Sequence, residues 1–109
     1  MLGANEPAMG PGKPALIEHI AATGSISAAA RAMNMSYRRA WQLVEAINSS
    51  FKDPVVVTAT GGKRGGGASV TDYGRDLVAQ FHAMENKASM AIEHDIERFN
   101  AQLRGSRPR

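Results

Sequence analysis

A chain of 109 residues with 43% hydrophobic residues and a net charge of +3 can build one compact domain, and wholesale disorder is excluded. No apolar run approaches the ~20 residues of a membrane helix and no secretory signal opens the chain, so the expected compartment is the cytoplasm. Cysteine is absent, which excludes disulfide scaffolds, thiolate zinc sites and cysteine nucleophiles together.

Residues 1–13, rich in Gly and Pro and without periodicity, read as a flexible leader. From Pro14 to Thr23, Leu16, Ile17, Ile20 and Ala21 follow the i, i+3, i+4 spacing of an amphipathic helix. Pro14 suits its first turn and Gly24 its stop. Ser25 or Ser27 can cap a short second helix, Ala28–Met33, whose alanines permit close packing and which Asn34 ends in a left-handed conformation. Ser36 is an N-cap for a third helix, Tyr37–Phe51. Its turns put Ala40, Val44, Ile47 and Phe51 on one stripe with Tyr37 at the edge, and Arg38, Gln42, Glu45 and Ser49 on the other with Arg39 beside them. The first stripe is core.

Asp53-Pro54 introduces a β-branched run from Val55 to Thr60, which enters the glycine-rich, cationic stretch Gly61–Gly67 and returns through Ala68-Ser69-Val70. That pattern predicts a hairpin. Thr71 is a cap candidate for the next helix, with Asp72 in the first turn. Leu77, Phe81, Met84, Ala88, Ile92, Ile96, Phe99 and Leu103 then recur at spacings of three and four, predicting a helix of about 30 residues over 72–104. Residues 105–109 read as a disordered tail.

Charge is uneven along the chain. Residues 31–64 carry Arg31, Arg38, Arg39, Lys52, Lys63 and Arg64 against Glu45 and Asp53, whereas residues 72–98 are net acidic. A basic middle suggests a polyanionic partner for that part alone.

The expected fold is therefore mainly α with a small β-hairpin: a winged helix-turn-helix over 14–71 and a long C-terminal dimerisation helix. In such a motif the second helix of the pair lies in the major groove of DNA. Arg38 can donate twice to guanine and Gln42 can pair with adenine. Ser27 and Ser36 suit phosphate oxygens. Lys63 and Arg64 at the hairpin tip would lie on the sugar-phosphate backbone, where glycine permits close approach. Arg38 and Arg39 on an ordinary solvated face, or a merely floppy hairpin, are the bland alternatives. The surrounding layout favours the DNA reading over both.

The glycine run is no P-loop, since no Gly-Lys-Ser/Thr opens a helix after the strand. His19, His82 and His94 are too scattered for a metal site, and no Ser-His-Asp set or paired carboxylates suggest an enzyme. Trp41 reads as the edge of the core, and Tyr37 is undecided between stacking and packing.

Gly24-Ser25-Ile26-Ser27, Ala29-Ala30, Met35-Ser36-Tyr37-Arg38-Arg39-Ala40-Trp41, Ala59-Thr60-Gly61-Gly62-Lys63 with its glycine run, and Thr71-Xaa-Tyr73-Gly74 resemble the N-terminal domain of ModE-type molybdate-responsive repressors. The plan is similar, more loosely, to the DNA-binding half of LysR-type regulators. The resemblance covers roughly residues 14–103. It implies a dimeric regulator of transcription whose last helix is the dimer interface. In that family molybdate is held by additional C-terminal β-barrel domains, so no oxyanion site carries over to these residues.

The expectation is a homodimer on duplex DNA at an inverted-repeat operator, with no cofactor, small-molecule ligand, metal or membrane contact within the chain. DNA contacts are expected from Ser27, Ser36, Tyr37, Arg38, Arg39, Gln42, Lys63 and Arg64. The dimer interface is expected from Leu77, Phe81, Met84, Ile92, Ile96, Phe99 and Leu103. About 30 helical residues extend roughly 45 Å at 1.5 Å each, against a radius of gyration near 13 Å for a 100-residue domain, so the distal stripe meets another chain or stays wet. A helix that folds back on its own domain, with a break near Glu85-Asn86-Lys87, is the less favoured alternative. The alternative is a protein–protein adaptor that uses the long helix and has lost DNA binding.

Overall fold

The computed structural model describes Met9, Gly10, residues 12–59 and residues 67–105. Five helices and one hairpin occur in the order α1 (Lys13–Thr23), α2 (Ile26–Ala32), α3 (Tyr37–Ser50), β1 (Val56–Ala59), β2 (Gly67–Val70), α4 (Asp72–Ala91) and α5 (Glu93–Asn100). The chain divides into two units, Met1–Val78 and Ala79–Arg109.

Local chemistry sets most of the boundaries in the first unit. Gly24 (φ 70°) ends α1 in the left-handed region, and its N–H reaches the Ile20 carbonyl at 2.8 Å. The Ser25 hydroxyl accepts the Ala28 N–H at 3.0 Å, so α2 starts at Ile26, two residues before the expected start, and Ser25 rather than Ser27 caps it. Asn34 (φ 55°) closes the turn after α2. The Ser36 hydroxyl accepts the Arg39 N–H at 3.0 Å and opens α3. That helix stops at Ser50, not Phe51, whose backbone is extended and whose side chain is half-buried.

α1, α2 and α3 bury Leu16, Ile17, Ile20, Ala29, Ala30, Ala40, Val44 and Ile47 together with Val55, Val56, Val70 and Val78. Leu43, which the stripe omitted, joins this core. β1 and β2 are antiparallel with Val56 opposite Val70 and Thr58 opposite Ala68. Alternation therefore puts Val56, Thr58, Ala68 and Val70 on one face. The Ala68 N–H reaches the Gly24 carbonyl at 2.9 Å, which ties the hairpin to the turn between α1 and α2.

Two long-range devices lock the base of the hairpin. The Asn48 carboxamide of α3 donates to the Val56 carbonyl at 2.9 Å and accepts the Val55 and Val56 N–H groups at 2.8 and 3.1 Å. The Thr71 hydroxyl accepts the Gly74 N–H at 2.9 Å as the cap of α4 and donates to the Pro54 carbonyl at 2.8 Å. Gly74 is buried, and a Cβ there would stand 2.7 Å from the Val55 carbonyl oxygen and 2.9 Å from Val70. Only glycine fits.

Two expectations at the ends need correction. The ordered chain begins before Pro14: Met9 and Lys13 are buried, and the Lys13 N–H reaches the Gly10 carbonyl at 3.1 Å. An apolar side chain among the leader's glycines and prolines suffices to pin it, although it shows no period. The single helix over 72–104 is two helices divided at Ile92 (φ −109°, ψ 10°), and turns continue after α5 to Gly105. No Gly or Pro marks that division, so the sequence carries no breaker there. Glu93 and Asp95 in the first turn of α5 and Arg98 in its last complement the helix dipole, which supports a fresh start. Residues 106–109 lie outside the described residues.

Candidate nucleic-acid interface

The start of α3 combines a buried side with an open one. Ala40, Leu43, Val44 and Ile47 face the core, while Arg38, Arg39, Gln42, Glu45 and Ser49 are exposed. Arg38 and Gln42, four residues apart, stand one above the other on the outer side. Each carries two or more donors, and neither is covered by protein. Such a row can meet an edge of hydrogen-bonding groups approached from outside.

Around this row the predicted residues separate by role. Ser36 is exposed, but its oxygen lone pair is engaged in capping α3. Ser27 is exposed near the start of α2 and accepts from the Arg31 guanidinium at 3.1 Å, a pairing of residues four apart. Tyr37 is 54% exposed, and its ring meets Trp41 edge-on at 6.2 Å between centroids and 78° between planes. Tyr37 is thus packed at one edge and open to a stacking partner at the other. Lys63 and Arg64 lie outside the described residues.

An open groove of about 270 Å³ adjoins the row, lined by Ser25, Ile26 and Ser27, by Tyr37 and Trp41, and by Thr58, Ala59, Gly67 and Ala68 of the hairpin. Sequence reasoning missed Thr58 of the groove and the pairing of Arg31 with Ser27. The β alternation that buries Val56 could have placed Thr58 on the inward face, and the Ser27–Arg31 spacing could have paired those two. From His19 to Val44 the only Asp, Glu, Lys or Arg side chains are Arg31, Arg38 and Arg39. Glu45 stands on the same exposed side of α3, one turn beyond Trp41 and Gln42, so the cations gather toward the start of that helix.

The second unit offers a different surface. Met84, Met90, Ile92, Ile96, Phe99 and Leu103 are exposed, with Phe99 at 71%, and none of its described residues is buried. Phe81 is half-buried, as is Leu77 in the part of α4 that belongs to the first unit. His82 pairs with Glu85 at 3.2 Å and His94 with Glu97 at 3.6 Å, both on the surface. Among the described residues no group of three or more His, Asp or Glu side chains could hold a metal ion, and no helix is long and apolar enough to cross a membrane.

Comparison with known proteins agrees with this layout. The family model of bacterial regulatory helix-turn-helix proteins, lysR family, matches residues 15–75. Over 85 residues the chain is 40% identical to the molybdenum transport protein ModE of Azotobacter vinelandii, covering 78% of this chain and 32% of that protein. It is 49% identical over 77 residues to the molybdenum-pterin-binding protein MopB of Rhodobacter capsulatus, covering 71% and 28%. The DNA-binding transcriptional dual regulator ModE of Escherichia coli K12 is 43% identical over 83 residues, covering 76% and 32%. The chain spans about a third of the length of these curated relatives.

Proposed function

Because the chain belongs to the bacterial regulatory helix-turn-helix proteins of the lysR family, we propose that it is a transcriptional regulator, not an enzyme, and binds duplex DNA selectively through residues 14–71. Its likeness to ModE-type regulators supports that reading. The observation that carries it is the exposed Arg38–Gln42 row on the second helix of the pair, backed by a face buried in the core. A helix of this kind fits the ~12 Å major groove, where Arg38 donates twice to guanine O6 and N7 and Gln42 pairs with adenine N6 and N7. Ser27, Ser36, Tyr37 and Arg39 contact the flanking backbone, and the cations Lys63 and Arg64 add to that contact.

Two copies act together in this reading. Ile92, Ile96, Phe99 and Leu103 are worth roughly 1.5–3 kcal/mol each when fully buried, and a second copy presents the same stripe. A two-fold pair reads an inverted repeat with half-sites a helical turn or its multiple apart. The molybdenum in the relatives' names is not carried over to these residues, and titration with molybdate is expected to give no heat beyond dilution.

The test is binding to a duplex selected from a random pool, followed by fluorescence anisotropy. Arg38→Ala is expected to cost about 1–3 kcal/mol on the selected duplex and little on random DNA. Lys63→Ala is expected to weaken every sequence alike and to lower the salt slope by about one. If both substitutions lower selected and random binding equally, α3 does not read bases.

A further inference from the structure

Beside α3 lies a groove two of whose lining residues, Ser27 and Tyr37, are placed on the DNA backbone by the reading above, and whose other residues have no part in it. Its floor is aromatic, Tyr37 edge-on to Trp41, and its walls carry the hydroxyls of Ser27 and Thr58. Gly67 adds no side chain to the opposite wall. Thr58 shares the inward face of the hairpin with Val56 and Val70, so its side chain is on the groove side of the sheet. Ser27 accepts from the Arg31 guanidinium, which leaves its own O–H to donate outward beside a fixed positive charge.

An aromatic floor and hydroxyl-bearing walls, with the Arg31 guanidinium held against Ser27, match a group that is apolar on one face and anionic on the other. The sugar-phosphate unit of a nucleic acid strand has that character. The groove, about 270 Å³, is open to solvent on one side. An open groove of this size suits a segment of a polymer lying across it better than a small molecule held within it.

We propose that the groove seats one sugar-phosphate unit of the DNA backbone: Ser27 and Thr58 donate to the phosphate, and the Tyr37–Trp41 pair packs against the deoxyribose. This rests on the DNA-binding reading of α3 and adds Thr58, Trp41 and Arg31 as positioning residues, which set the register of the duplex and do not select bases. Trp41 is the single tryptophan of the chain, so its fluorescence reports on the groove directly.

The experiment measures acrylamide quenching of Trp41 in the wild-type chain, alone, with the selected duplex and with inorganic phosphate. It also measures duplex affinity for Thr58→Val and Ser27→Ala. The duplex is expected to shield Trp41 while phosphate does not. Each substitution is expected to weaken selected and random duplexes alike by about tenfold, the size of one hydrogen bond to a charged group, with the circular dichroism unchanged. Shielding by phosphate alone would make this a small-anion pocket and overturn the proposal. Binding that depends on Arg38 but leaves Trp41 accessible and the Thr58→Val affinity unchanged overturns the groove and spares the base-reading helix. If no duplex binds, both readings fall.

Discussion

Residues up to Val78 and residues from Ala79 onward are built from the same kind of pattern, apolar side chains three and four apart, and end in opposite states. In the first region Leu16, Ile17, Ile20, Val44 and Ile47 are almost fully buried. In the second, Ile96 and Phe99 remain 45% and 71% exposed. Periodicity therefore identifies an apolar face and says nothing of what covers it. Coverage in the first region comes from three helices and a hairpin joined by short turns, so each face meets another within the chain. The exposed stripe of the second region is the kind of surface that calls for another molecule.

The contrast is sharpest for truncation of a core residue. Ile47→Ala is expected to destabilise the first region by about 2–5 kcal/mol, read from thermal unfolding followed by Trp41 fluorescence. A loss below ~1 kcal/mol would mean that this core is far looser than its burial implies.

Gly74→Ala adds one methyl group where the Val55 carbonyl oxygen and the Val55 and Val70 side chains leave no room. About 1–3 kcal/mol of destabilisation is expected in the same unfolding measurement, with α4 displaced from the hairpin base. An unchanged melting temperature would show that the backbone yields there at no cost.

The smallest expected effect on the fold belongs to the double substitution Ile96→Asp, Phe99→Asp. Unfolding of the first region is expected to change by no more than about 0.5 kcal/mol, since these side chains are exposed in the chain. Sedimentation, by contrast, is expected to shift from dimer to monomer, with loss of affinity for the inverted repeat. A wild-type chain that sediments as a monomer would remove the dimer, and the inverted repeat with it.

Features that depend on neighbours within a few residues are legible in the amino-acid order alone. Ser36, Thr71, Gly24 and Asn34 are recognisable as caps and stops because each acts on a backbone group three or four residues away or on its own φ angle. The same locality makes the Arg38–Gln42 row legible, since a helical period alone puts those two side chains on the outer face. Other features exist only in the folded chain. Asn48 acquires its role when the chain turns back and brings the Val55 and Val56 amides to its carboxamide. Gly74 becomes obligatory only where α4 meets Val55 and Val70. The groove exists because α2, α3 and the hairpin converge, and no period in any one of them encodes that meeting. Local hydrogen bonds and periodicity are written in adjacent residues, whereas a close approach between distant segments depends on how every intervening turn is resolved.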